Sequence, residues 1–107
     1  MICALTVRRL KPDSFDDFRE AFLRGANPDD SPDKWVRFDM VRNSEDPNEV
    51  ICFGFYDGSA DELRKSAGES GYEKQMEEIA PYVESVGADG MYEVVEEWDR
   101  AKAAAVR

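Results

Sequence analysis

The sequence predicts an α+β domain: one four-stranded antiparallel sheet, chained β-α-β-β-α-β, with its helices on one face. Three observations carry this. Ile2 to Val7 and Val50 to Phe55 are apolar at successive positions and read as strands buried on both faces. Trp35 to Asn43 and Met91 to Trp98 alternate apolar with polar residues and read as edge strands. The segments that follow the first and third strands carry helical periodicity and capping signals. At 107 residues and 42% hydrophobic content the chain fits a single domain, drawn at residues 1–98 with a C-terminal tail at 99–107.

In chain order, the first strand picks up charge at Arg8 and Arg9 and stops at Pro12. Asp13 or Ser14 can cap a helix in which Phe15, Phe18 and Phe22 form one apolar stripe ending near Gly25. Gly25 to Lys34 is rich in turn formers and reads as an exposed loop. In the strand that follows, Val36, Phe38 and Met40 share one side, with Arg37, Asp39 and Trp35 on the other. Ser44 to Asn48 makes a hairpin loop, where Pro47 cannot join a ladder, and leads into the central strand Glu49 to Asp57.

Ser59 with Glu62 and Ser70 with Glu73 fit the capping boxes of two further helical segments. The second places Tyr72, Met76, Ile79, Val83 and Val86 on one stripe, and Pro81 inside it predicts a kink or restart. Gly87 to Gly90 then closes the helix before the fourth strand, Met91 to Trp98. The tail Asp99 to Arg107 has a helix-forming composition.

This order is the ferredoxin-like arrangement, in which right-handed crossovers make the first and third strands central. Helices cover only one face of such a sheet. The set expected beneath them is Cys3, Leu5, Val7, Ile51, Phe53 and Phe55. The opposite set, Ile2, Ala4, Val50, Cys52 and Tyr56, then needs a cover, and a second copy of the same sheet supplies one as an isologous homodimer. Alternation puts Cys3 and Cys52 on opposite faces, which predicts free thiols.

Charge narrows the partners. With 14 basic and 24 acidic residues the formal charge is −10, a field that repels nucleic acid and anionic lipid. No apolar run approaches the roughly 18 residues of a membrane span, and Met1 to Leu5 lacks a basic leader, so the expected location is the cytoplasm. Histidine is absent, which removes His-ligated haem and His-based general bases. The glycines form no GxGxxG spacing for a nicotinamide or flavin. No metal and no cofactor are expected.

The run VRFDMVRNSEDPNEVICFGFYDG, followed by ELRKS and SGYEKQMEEIAPYV, resembles the antibiotic-biosynthesis-monooxygenase-like domains of the dimeric α+β barrel superfamily. The likeness spans about Ile2 to Trp98, and its most telling features are the Asp46-Pro47 turn and the Tyr56-Asp57 pair before a helix. It implies two sheets packed face to face and a small pocket in each subunit between the sheet and its own helices. Thr6 stands near the position where haem-degrading members carry an asparagine, and Tyr56 stands where many members have a tryptophan.

If the chain shares the cofactor-independent oxygenase chemistry of some members, it needs an aromatic pocket, a proton acceptor and a group that stabilises a phenolate. Arg37 is the candidate stabiliser, Tyr56 and Tyr72 orient a small aromatic substrate, and Trp35 walls the pocket, with Asn43, Tyr82 and Tyr92 as further polar or aromatic candidates. Each has a plainer reading: a solvated edge charge for Arg37, core aromatics for the tyrosines. Three functions therefore stay open: a cofactor-independent monooxygenase, a non-catalytic ligand-binding or structural dimer, and a stress-response or regulatory module.

Overall fold

The computed structural model describes residues 1–25, 34–69 and 72–101. Its elements are β1 (Ile2–Leu10), α1 (Phe15–Gly25), β2 (Trp35–Arg42), β3 (Glu49–Tyr56), α2 (Ala60–Glu69), α3 (Tyr72–Ile79), a single 3-10 turn (Ala80–Tyr82) and β4 (Val83–Glu93). The sheet order is β2-β3-β1-β4 with every pair antiparallel, the ferredoxin-like order expected of this chain.

Local chemistry accounts for most boundaries. Asp13, at φ 59°, turns the chain into α1, and Ser14 takes the N-cap position, its carbonyl accepting from Phe18 N–H at 2.9 Å. At α2 the capping box is reciprocal: Glu62 N–H donates to Ser59 Oγ at 3.1 Å, and Ser59 N–H donates to Glu62 Oε1 at 3.5 Å. In the β2–β3 hairpin, Asp46 is held by Arg9 Nη2 at 2.5 Å and receives Asn48 N–H at 3.1 Å. The expected Ser70 cap, most of the Gly25 to Lys34 loop and the end of the tail lie outside the described residues.

Two expectations need correction. The third helix does not run on to Val86: it ends at Ile79, Pro81 sits in the 3-10 turn, and β4 begins at Val83, well before Met91. Proline lacks the N–H a helix needs there. The valine spacing that suited a helix suits an edge strand as well, and the glycines read as a helix stop lie inside β4, Gly87 at a register shift opposite Val7 and Arg8, and Gly90 opposite Leu5.

The second correction concerns the faces of the sheet. The helices cover Ile2, Ala4, Val50, Cys52 and Tyr56, not the alternate set. Leu10, Phe18, Ala21, Phe22, Val50, Cys52 and Ile79 form the main core, while Ile2, Tyr56 and Leu63 form a second cluster beneath α2. Cys3, Leu5, Val7, Ile51, Phe53 and Phe55 are half-buried on the open face. Phe53 packs edge-on against Phe55 there, with ring centroids 6.0 Å apart. Alternation sorts residues into two sets but does not say which set the helices take. Here the covered set is the one in phase with Thr6 and Arg8.

Cys3 and Cys52 lie on opposite faces, as alternation requires, and both are free thiols. Among the described residues no helix is long and apolar enough to cross a membrane.

Candidate functional site

Across the helix-covered face the register lays down four rows, read from β4 through β1 and β3 to β2. They are Glu93–Ile2–Tyr56–Trp35, Met91–Ala4–Gly54–Phe38, Asp89–Thr6–Cys52–Met40 and Val86–Arg8–Val50–Arg42. The first two rows give Ile2, Tyr56, Trp35, Ala4 and Met91 to the cluster under α2, and the last two give Cys52, Met40 and Val50 to the main core. Where the clusters meet, the two central strands carry Ala4, Gly54 and Thr6, the small residues of this face. At its borders the Thr6 hydroxyl donates to Asp89 Oδ1 at 3.0 Å in an exposed position, and Phe38 and Tyr72 are 44% and 41% exposed. This strip of small residues is the candidate site.

One end is aromatic. A β-bulge sets Trp35 opposite Tyr56 and Arg37 opposite Phe55, with Val36 as the extra residue. The bulge moves Trp35 from the face of Arg37 to the face of Phe38, correcting the simple alternation. Its ring meets Tyr56 edge-on with centroids 5.3 Å apart, and it lies over Gly54, where an added Cβ would come within 2.7 Å of it. The neighbouring residue anchors it: Lys34 O accepts from Asp57 N–H at 2.8 Å, and Lys34 Nζ pairs with Glu62, the capping carboxylate of α2. Phe38 stacks on Phe22 of α1, centroids 5.3 Å apart.

The other end is polar, and its centre is Arg8, a residue that sequence reasoning took only as the onset of charge in β1. Arg8 is 5% exposed. Its guanidinium carbon lies 5.9 Å from the ring centroids of both Phe18 and Phe22, its Nη2 donates to Met76 Sδ at 3.5 Å, and its Nη1 has no hydrogen-bond partner. Burial pushes the Cys52 thiol up to about 11, with the charge and hydrogen bond of Arg8 pulling the other way. Burial also raises Cys3. Both cysteines are thereby kept as thiols at neutral pH and are poor nucleophiles. Tyr72, at the start of α3, is raised by burial and then by Asp89, opposed by Arg8, so it is held as a neutral phenol that can donate.

The four residues singled out from the sequence therefore divide. Trp35 and Tyr56 meet at the aromatic end and Tyr72 borders the polar end, whereas Arg37 is on the open face, paired with Asp39 at 2.7 Å and 3.1 Å. Asn43 belongs to the hairpin, where its side chain donates to Glu49 at 3.1 Å. Tyr82 packs against the main core and Tyr92 is 49% exposed, opposite Cys3. The missed residues are Arg8, Thr6 and Asp89. Arg8 carried a readable signal, since it lies in phase with Ile2 and Ala4 on a strand read as central, on a face that the sequence reading expected to be covered. Asp89 was hidden by the reading of Gly87 to Gly90 as a helix stop.

A separate concavity of about 540 Å³ lies on the outside of α1, lined by Asp16, Arg19, Glu20, Leu23 and Arg24. It is open to solvent, and it includes none of the residues above.

A four-stranded antiparallel sheet in this order, with its helices on one face, is the fold seen in solved structures of antibiotic-biosynthesis-monooxygenase-like proteins. Among solved structures, the chain is similar to SnoaB, a cofactor-independent oxygenase from Streptomyces nogalater, at 13% identity and TM-score 0.73, covering 90% of this chain and 94% of that one. It is similar also to an antibiotic biosynthesis monooxygenase-type protein from Nitrosomonas europaea (16% identity, TM-score 0.74, 90% and 100% covered) and to Rv0793 from Mycobacterium tuberculosis (16%, 0.73, 92% and 98%). At such identities the likeness is one of fold. No protein-family profile and no curated protein matches the sequence.

Proposed function

We propose that the protein is a homodimeric α+β barrel that binds a small aromatic compound over the small-residue strip where its two core clusters meet and oxidises it without a cofactor. The observation that carries the reading is the arrangement of this face: a floor of Ala4, Gly54 and Thr6, the aromatic edge of Trp35, Tyr56 and Phe38, and a polar end with the Thr6–Asp89 hydrogen bond, Tyr72 and, next along β1, Arg8. In a cofactor-independent oxidation the substrate loses a proton and then gives an electron to oxygen. Such a site needs an aromatic wall, an acceptor and a donor that stabilises the anion. Asp89 is the candidate acceptor and Tyr72 the candidate donor. The likeness of fold to SnoaB supports the reaction class. Thermal-shift screening with hydroxylated polycyclic aromatics, followed by oxygen uptake on each hit, tests it; stabilisation without oxygen consumption by any hit refutes the oxygenase.

That second outcome is a reading of its own, a non-catalytic ligand-binding or structural dimer. One observation favours it: the Trp35 ring already occupies the space above Gly54. Both readings need the pair of chains. The open face carries Cys3, Leu5, Val7, Ile51, Phe53 and Phe55, with Val41 43% and Tyr92 49% exposed beside them, an apolar surface that a second sheet would cover. Light scattering tests the pairing, and a monomer mass that persists as concentration rises overturns it.

A further inference from the structure

We propose that Arg8 is a carboxylate-binding residue, so that the ligand of this site is a small aromatic acid, held by its carboxylate at the polar end with its ring toward Trp35. The inference rests on the aromatic-ligand reading above and adds the chemical class. A guanidinium at 5% exposure ordinarily has its donors taken by carboxylates or carbonyls, because a buried charge without partners is costly. Among the described residues Arg8 has no ion pair. Nη2 donates to the Met76 thioether, the Cys52 thiol is the other group that engages the guanidinium, and Nη1 has no partner, so the fork is held only by soft sulfurs and keeps a free terminal donor. Phe18 and Phe22 lie near the guanidinium and offer it no oxygen.

A planar fork with two such nitrogens matches the two oxygens of one carboxylate, a geometry that neither an amide nor a single phenolate oxygen reproduces. The exposed groups nearest Arg8 along the sheet are Thr6, two residues before it on β1, and Asp89 opposite Thr6 on β4, and Tyr72 at the start of α3 is 41% exposed. The Thr6 hydroxyl engages one oxygen of Asp89. In a chain of net charge −10, a buried cation lacking its own acid makes a site selective for one short anion instead of a general anion-binding surface.

The probes are 2-naphthoate, its uncharged isostere 2-naphthamide, and 4-nitrophenolate above the pKa of nitrophenol. Calorimetry gives affinities, and the arginine side-chain nitrogen resonances locate the contact. The native protein is expected to bind the acid at least about tenfold more tightly than the amide, the yield of a charge-assisted hydrogen bond. The Arg8 resonance should move while those of Arg37 and Arg42 do not. Arg8→Met fills the same space without the charge and should stay folded; it is expected to bind acid and amide alike, and Arg8→Lys to recover part of the preference. Equal binding of acid and amide by native protein overturns the assignment but leaves the aromatic site intact. Failure of all three probes overturns both. Tighter binding of nitrophenolate than naphthoate, or acid preference persisting in Arg8→Met, also overturns it.

Discussion

A pair of substitutions on β3, one on each face, separates folding from association. Val50→Lys places an ammonium at a position with 0% exposure under α1 and α3, directly opposite the like charge of Arg8. Losing the valine's burial costs about 1.5–3 kcal/mol. Burying an unpaired charge adds several kcal/mol more, enough to consume most of the ~5–15 kcal/mol by which a typical domain is stable. Phe53→Glu instead alters a half-buried ring on the open face, whose only ring contact among the described residues is Phe55. A phenylalanine has ~150–250 Å² to bury, so a partner sheet covers roughly 100 Å² more, worth about 2.5 kcal/mol per chain. Two-fold symmetry doubles this to about 5 kcal/mol, a weakening of the dimer on the order of a thousandfold or more. Far-UV circular dichroism and multi-angle light scattering read the two effects apart. Val50→Lys should lose its folded spectrum, and Phe53→Glu should keep it with half the native mass. If Phe53→Glu unfolds while Val50→Lys folds, the assignment of faces is inverted. If Phe53→Glu keeps the native dimer mass, the open face is not the interface.

Gly54→Val should displace the Trp35 ring, since even a Cβ there comes within 2.7 Å of it, and cost about 1–3 kcal/mol; in a Trp98→Phe background the emission of Trp35 should shift to the red, and an unchanged spectrum would refute the packing. Ser59→Ala removes the hydroxyl that caps α2 and should cost about 1 kcal/mol in urea unfolding. Asp46 is held below the usual carboxylate range, first by the hydrogen bond from Arg9 and then by Asn48 N–H. Its folded pKa lies below its unfolded one, so its contribution is fully present above the unfolded value and is lost as pH falls through the folded one. Asp46→Asn should therefore flatten the acid limb of the stability profile and leave its alkaline limb unchanged. With its thiol at about 11, Cys52 in native protein should resist iodoacetamide at mildly alkaline pH and react once urea exposes it.

The architecture was legible because several signals agreed on it. Apolar residues on both faces marked β1 and β3 as central, the phenylalanine stripe marked α1, and Ser59 with Glu62 marked the start of α2. What failed was whatever depended on a choice that local pattern does not make. Val83 and Val86 satisfy a helical stripe and an edge strand equally, and only the pairing with β1 decides for the strand. The bulge at Val36 offers no glycine or proline to announce it, yet it sets the face of Trp35 and so half of the aromatic end.

The site was harder to read than the fold because its defining residue breaks the rule that finds cores. A charge on a strand is ordinarily evidence of solvent, and Arg8 read only as the place where the first strand picks up charge. The structure buries Arg8 nonetheless, and flanks it with two rings and the sulfurs of Met76 and Cys52, groups that tolerate a cation without neutralising it. A purely structural role would be served at less cost by methionine or leucine at this position, since replacing buried charges with apolar groups of similar volume is often neutral or stabilising. Only a partner absent from the free chain turns that cost into selectivity. If Arg8 serves an incoming carboxylate, Arg8→Met should unfold at a higher urea concentration than the native protein in plain buffer, and the order should reverse in saturating 2-naphthoate, because only the native chain gains stability from the acid. Native protein that is the more stable in both solutions would make Arg8 a structural cation and return the polar end of the site to Tyr72 and Asp89.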